Sequence, residues 1–271
     1  MFDARPMEAT TTSRRERLVA ILDADPDLGA LLSPERFAQA RTELVARLCA
    51  PTGPTWRDHA LDCAGPHGLG VLVLDGVVAR ELAMSDNVTT EFLGPGELLK
   101  SSGSLTAERL VRSEVRWTVL ERPRLAVLGP QFAAAVLHYP EVNAVLFDRV
   151  VERSHRLAVA QAISQLNGVD RRILALLWHL AERWGRVAPD GVIMPLRLPH
   201  RLLAQAVGAR RPTVSTALGM LAARESVLRL EDGSWLLRGP PVGLPTEESR
   251  RIVRLRQRRF QRDGSAPAAM N

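Results

Sequence analysis

Six arginines fall between positions 196 and 229, at 197, 201, 210, 211, 224 and 229, against a single acid, Glu225. That local excess of positive charge attracts a polyanion. A guanidinium is planar and carries a fork of donors, so it grips a phosphate or the O6/N7 edge of guanine through two hydrogen bonds. Next to Arg210 and Arg211 the chain reads Pro212-Thr213-Val214-Ser215-Thr216. Those short hydroxyl side chains reach only groups lying close to the backbone that carries them. The expected nucleic-acid contacts are therefore Arg201, Arg210, Arg211, Pro212, Thr213, Ser215 and Thr216, with double-stranded DNA as the partner.

A second group has the residue types of a metal or haem site. His59, Cys63 and His67 are spaced four apart, with Cys49 upstream, and a helix would present them on one face. Gly65-Pro66 falls inside the set and breaks such a helix, so ordinary loop and core roles are expected and no metal. Two cysteines are too few for a disulfide framework or a four-thiolate iron–sulfur cluster. No Gly-x-Ser-x-Gly, Walker or His-Glu-x-x-His pattern occurs, so an enzymatic reading has no residues to carry it. His155, His179, Trp178 and Trp184 read as packing or surface residues.

The elements that position the arginines follow from periodicity. Leu202, Leu203 and Val207 make one apolar helix face, closed by Gly208, which takes positive φ at no steric cost. Pro212 suits the first turn of a second helix. Val214, Leu218 and Leu221 form the inner face of that helix and leave Arg211, Thr213, Ser215 and Thr216 outside. This is a helix-turn-helix. Beyond it, residues 227–230 and 235–237 flank Asp232-Gly233, a hairpin signal that reads as a wing.

The remaining chain divides as follows. Residues 1–15 are a lead-in without periodicity. Leu18, Ile21, Leu22, and then Phe37, Ala40, Leu44, Val45 and Leu48, predict helices, the second opened by Ser33-Pro34. Residues 71–79 predict a hairpin broken at Asp75-Gly76, and 88–92, 115–120 and 124–128 predict short strands, set apart by Pro95-Gly96, a Ser-rich loop at 101–104 and Pro123. Together these make a small antiparallel β roll over 16–139. After Pro140 a long helix carries Val142, Leu146, Val150, Leu157 and Ala160 and predicts pairing with its copy in a homodimer; the alternative is a helix lying on its own roll. Asn167-Gly168-Val169-Asp170 marks a hinge at the end of 140–168, with Asp170 as the cap of the next helix, which Gly185 stops. A winged helix-turn-helix unit fills 169–240. A basic tail, 241–271, has seven arginines between 248 and 262.

The formal net charge is +6, and Lys100 is the single lysine among 36 basic residues. No apolar run is long enough to span a membrane and no charged-then-apolar leader opens the chain, so a cytoplasmic protein is expected. A ligand-binding or protein-interaction module whose basic face docks an acidic partner is the alternative from another functional class.

Taken in this order, an α+β chain with an N-terminal antiparallel, jelly-roll-like β roll and flanking helices, a long dimerisation helix and a C-terminal winged helix-turn-helix resembles the Crp/Fnr family of bacterial transcription regulators. The resemblance covers most of 68–238. It is most specific in Asp170-Arg-Arg-Ile-Leu-Ala-Leu-Leu and in the run from Leu198 through Ser215. It implies a dimeric regulator that binds DNA and contacts RNA polymerase, with a β roll that either senses an effector or only dimerises. Arg211 matches the arginine at the start of the family's recognition helix, whereas Pro212 and Thr216 stand where well-known members have glutamate and arginine. In cyclic-nucleotide-binding members a Gly-Glu pair holds the ribose and an Arg-Ser pair the phosphate; Gly96-Glu97 and Arg112-Ser113 resemble these. Lys100-Ser-Ser-Gly-Ser replaces the second Gly-Glu, and Glu114 sets an acid beside Arg112-Ser113. No cofactor is evident, cyclic nucleotide is not expected to bind, and the effector is unidentified.

Overall fold

The computed structural model describes residues 17–51, 53–101 and 110–240. The lead-in before Arg17, most of the Ser-rich loop and the basic tail from 241 onward lie outside the described residues.

Short elements come first: β1 (Leu18–Ala20), α1 (Ile21–Ala24) and α2 (Pro34–Glu43). Ser33 caps α2 by accepting from the Arg36 N–H at 3.3 Å, as the Ser-Pro pair predicts. The helix ends sooner than its apolar spacing suggests. Val45 and Leu48 belong to β2 (Val45–Cys49), where ladder pairing, Val45 with Ala20 of β1 and Leu48 with Ala126, overrides a helical period.

Strands β3 (Thr55–Arg57), β4 (Gly70–Met84), β5 (Asn87–Leu93), β6 (Leu98–Leu99) and β7 (Glu114–Leu128) complete a seven-stranded antiparallel sheet. Its order is β1-β2-β7-β4-β5, with β3 on β7 and β6 on β4. Two predicted breaks are absent. Asp75-Gly76 does not turn the chain and Pro123 does not end a strand; β4 and β7 both run through, paired from Gly70↔Leu128 to Ala83↔Glu114 with register shifts between Val73 and Val78. Gly76 has φ +80°, and a Cβ there would lie 2.4 Å from the Arg122 carbonyl oxygen. The dipeptide makes a bulge that bends two long strands together, and Pro123, opposite it, has no ladder partner to donate to.

A short α3 (Pro130–Ala135) leads into α4 (Pro140–Ser164). Val142 and Leu146 of α4 are buried on the roll with Leu72, Leu74, Phe132 and Tyr139. Val150 and Leu157, expected on the same stripe, are instead exposed beside Phe147 and Val151. Ala144, Phe147, Val151, Ser154 and Ala158 are all exposed, at spacings of three and four.

The C-terminal unit comprises α5 (Val169–Trp184), β8 (Arg186–Ala188), β9 (Gly191–Met194), α6 (His200–Val207), α7 (Arg211–Ala223), β10 (Val227–Arg229) and β11 (Trp235–Leu237). The hairpin β8–β9 is an addition to the expected wing and extends it into a four-stranded sheet of order β10-β11-β9-β8. The cap of α5 is Gly168, which has no side chain to bond with, and not Asp170, which falls inside the first turn and pairs with Arg224 at 3.3 Å. One apolar cluster joins this unit to the roll, since Val77, Ala79 and Phe92 pack with Ile173, Leu177, Leu202 and Trp235 as members of a single core. No helix among the described residues is long and apolar enough to cross a membrane.

Candidate nucleic-acid interface

Helix α6 buries Leu202, Leu203, Ala204 and Val207 and ends at Gly208, left-handed at φ +63°. The chain reverses there through the Ala209 N–H donating to the Ala204 carbonyl at 2.9 Å. Helix α7 starts with Pro212 in its first turn and buries Val214, Ala217, Leu218 and Leu221. Its other face is open to solvent: Arg210, Arg211, Pro212, Thr213, Ser215 and Thr216 are all exposed, continued by Gly219 and Met220. The Ser215 and Thr216 hydroxyls donate to the carbonyls of Arg211 and Pro212, each at 3.2 Å, which leaves their oxygens free to accept. The wing turn is fixed by Asp232, which accepts from the Ser234 N–H at 2.9 Å and the Ser234 hydroxyl at 2.6 Å. Arg229 lies over the Trp235 ring, 4.7 Å from its centroid.

His200 joins this surface without having been singled out from the sequence. Its Nδ1 is 3.0 Å from Ser215 Oγ. Partial burial, together with the charges of Arg229 and Arg211, holds its pKa below the ordinary histidine value, and because the one Ser215 proton goes to the Arg211 carbonyl, the His200 Nδ1–H donates to Ser215 Oγ. No local signal marks it, because the contact closes across fifteen residues of chain.

Arg201 points elsewhere. It donates to the Glu81 carboxylate on β4 and to Gln205 at 3.3 Å. Glu81 is 1% exposed and also accepts from Thr118 Oγ1 at 2.6 Å and Arg116 at 3.4 Å. Burial opposes its ionisation, but the hydrogen bonds from Arg201 and Thr118 and the charges of Arg201 and Arg116 outweigh it, and its carboxyl stays below the ordinary value. One turn further along α6, Gln205 accepts from Thr90 Oγ1 of β5 at 2.9 Å. The α6 edge expected to face DNA is thus engaged with the roll.

A parallel arrangement holds the other side of the hinge. Glu97, 3% exposed, accepts from Arg156 of α4 at 2.5 Å and from Arg183 of α5 at 2.6 Å. Arg183 also donates to the Pro95 carbonyl at 2.6 Å. Gly96, at φ +84°, lies against the Arg149 guanidinium, which pairs with Asp25 at 2.5 and 2.9 Å.

No protein-family model matches the chain. The global nitrogen regulator of Synechococcus elongatus is 30% identical over 94 residues, 35% of this chain, and the chain spans 41% of that relative's length. A CRP-family transcriptional regulator from Thermus thermophilus superposes with a TM-score of 0.47 at 16% identity, over 68% of this chain and 86% of that one. A cyclic nucleotide-binding domain containing protein from Listeria monocytogenes superposes with a TM-score of 0.55 at 18% identity, over 78% of this chain and 96% of that one. The chain shares the fold of the Listeria monocytogenes protein.

Within this fold the two pairs that resemble the phosphate cassette do not line the cavity together. Glu97 spends its carboxylate on Arg156 and Arg183. Arg112 is exposed and Ser113 half-buried, in the segment just before β7. The cavity of about 640 Å³ beside Gly96 and Glu97 is lined by Asp25, Asp148, Arg149, Glu152, Arg156 and Arg183 among others, and by neither Arg112 nor Ser113. Residues 102–109, between the two halves, lie outside the described residues. Among the described residues no group of three or more His, Cys, Asp or Glu side chains could hold a metal ion. Cys49 and Cys63 carry free thiols, His67 is exposed, and the His59 side chain lies outside what is described.

Proposed function

We propose that this chain is a homodimeric transcription regulator of Crp/Fnr type that reads double-stranded DNA through α7 and acts in the bacterial cytoplasm. The observation that carries the reading is the leading edge of α7. Arg210, Arg211, Thr213, Ser215 and Thr216 are exposed beside a wing, on a helix whose opposite face is buried. Arg211 at the helix start can meet guanine, while Thr213, Ser215 and Thr216 contact bases or phosphates at short range. Dimerisation rests on the exposed Phe147, Val150, Val151 and Leu157 of α4, whose three-four spacing suits a two-stranded coiled coil.

Cyclic nucleotide is not the effector in this reading, because the Glu97 carboxylate that would hold a ribose already has two guanidinium partners. A different effector would meet a cavity of about 410 Å³ between β5, α4 and α5, lined by Leu82, Phe92, Leu157, Leu176, Leu180 and Trp184, with Thr90, Gln161 and His179 as polar handles. RNA polymerase is the partner once the regulator is on its operator.

The test combines sedimentation with binding isotherms on a pseudo-palindromic and a scrambled duplex at two salt concentrations. A dimer is expected, with half-sites about 34 Å apart and a log–log salt slope of about 0.9 per phosphate neutralised. Phe147→Glu with Val151→Glu gives a monomer that loses specific binding. A monomeric wild-type protein with salt-insensitive binding would overturn the reading.

A further inference from the structure

Two strands pair with β7 along one side and leave a gap between them. β2 follows it as far as Cys49 opposite Leu125, and β3 takes up the pairing at Thr55 opposite Thr118. On the other side β4 keeps its partner through the bulge, where Asp75 stands opposite Arg124 and Val77 opposite Glu121, so that Arg122 and Pro123 together face Gly76. A gap in one ladder beside a bulge in the next leaves a hollow on the roll, a cavity of about 1090 Å³.

The charges that meet there come from three separate segments. Arg17 stands just before β1, its carbonyl accepting from the Leu48 N–H at 2.8 Å. Arg47 lies on β2 opposite Leu18, and Arg122 and Arg124 flank Pro123 on β7. All four line the cavity, and among the described residues Asp75 is the one acid that does. Four positive charges against one negative leave an excess of three. Asp75 pairs with Arg124 at 2.8 Å, whereas Arg17 and Arg122 have no carboxylate partner among the described residues. In the cavity beside Glu97, by contrast, Arg149, Arg156 and Arg183 are each bonded to a carboxylate. A hollow lined by one sign of charge focuses its field outward and repels itself, and an anion relieves both.

We propose that this hollow on the roll is a binding site for a small molecule carrying two or more phosphate groups, separate from the α7 face. A guanidinium fork bonds a phosphate through two parallel N–H···O bonds. Two phosphate groups carry about three negative charges near neutral pH, which matches the excess lining the cavity. A single anionic group leaves part of that excess unanswered, because the arginines reach it from β1, β2 and β7 and not from one loop. Leu18, Leu48 and Pro123 add an apolar wall, which the carbon skeleton attached to the phosphates covers. None of the lining residues belongs to α7 or the wing, so the site stands whether or not α7 reads DNA.

The experiment is calorimetric titration of the full chain with sodium tripolyphosphate, on the wild type and on Arg210→Ala with Arg211→Ala, which weakens the α7 face as a competing polyanion site. The expected result is one tripolyphosphate per chain at the hollow in both, with an affinity that falls as salt is raised. Arg17→Gln with Arg122→Gln, made in the α7 variant, weakens binding about tenfold. Asp75→Asn removes the acid of the hollow and tightens binding about threefold, a change of opposite sign that a damaged fold does not produce. All three positions are exposed, and circular dichroism verifies that the variants fold. Absence of binding to the α7 variant, indifference to Arg17→Gln with Arg122→Gln, weakening by Asp75→Asn, or equal affinity for sulfate would each overturn the proposal. Displacement of tripolyphosphate from the α7 variant by a DNA duplex would overturn it too, by making the hollow a second nucleic-acid contact.

Discussion

Arg201 and Arg211 lie ten residues apart in one basic stretch and carry the same charge, yet the fold uses them in opposite ways. Arg211 opens α7 with its guanidinium in solvent, held there by a helix whose apolar face is pinned in the core. Arg201, in the first turn of α6, turns onto Glu81, a carboxylate that burial would make costly were it unpaired. A basic residue beside a helix-turn-helix is therefore free to meet a polyanion only when no buried acid elsewhere claims it. The C-terminal unit is tied to the roll through Arg201 and Gln205 of α6, while the outer face of α7 remains open.

The largest expected effect is on Arg211. Arg211→Ala should weaken specific binding by about 1–3 kcal/mol and flatten preference at one base position per half-site. Paired isotherms on specific and scrambled duplexes read this, and equal weakening of both would make Arg211 a phosphate anchor and return base readout to Thr213, Ser215 and Thr216. Arg201→Ala sharpens the contrast. It should leave the salt slope of DNA binding unchanged while lowering stability by about 1–2 kcal/mol, a figure reduced because Arg201 is half exposed. A fall of about one unit in the salt slope would instead place Arg201 on a phosphate.

Acid probes the same contact from the Glu81 side. Its folded-state pKa lies below the ordinary 4.5, so its ion pairs contribute stability that is complete above 4.5 and fades as the pH falls through the lower, folded value. In thermal melts from about pH 7 downward, the stability margin of wild type over Glu81→Gln should stay constant until about pH 4.5 and shrink below it. A margin that narrows between about pH 7 and 5 would remove Glu81 as its source. The smallest effect is expected at Ser215→Ala. Losing the His200 contact and the back-bond to Arg211 should change DNA affinity by about 0.5–1 kcal/mol, and the His200 titration followed by NMR should shift with it.

Two Asp-Gly pairs separate what is local from what is not. Asp232-Gly233 turns the chain between β10 and β11, as its residue types predict, because three-residue strands leave nothing to carry the chain past a turn whose side chain already satisfies the backbone. Asp75-Gly76 has the same chemistry and becomes a bulge, because fifteen-residue β4 finds a full-length partner in β7 and the ladder on both sides outweighs one turn. Similar reasoning explains Val45 and Leu48. Apolar spacing fits helix and strand alike over so few residues, and pairing of Val45 with β1 and of Leu48 with β7 decided for the strand.

The leading edge of α7 was determined by the sequence alone, down to its individual residues. A helix of period about 3.6 with Val214, Leu218 and Leu221 on one face has to put Arg211, Thr213, Ser215 and Thr216 on the other, and Gly208 and Pro212 mark its turn and start through backbone geometry that acts within a few residues. Only the tertiary structure decided where the remaining charges went. Arg201 meets Glu81 across 120 residues of chain, and Glu97 meets Arg156 across 59 and Arg183 across 86. A buried carboxylate must be neutralised by whichever cation the packing brings to it, and that choice depends on how the roll, the long helix and the C-terminal unit meet, which no local spacing records.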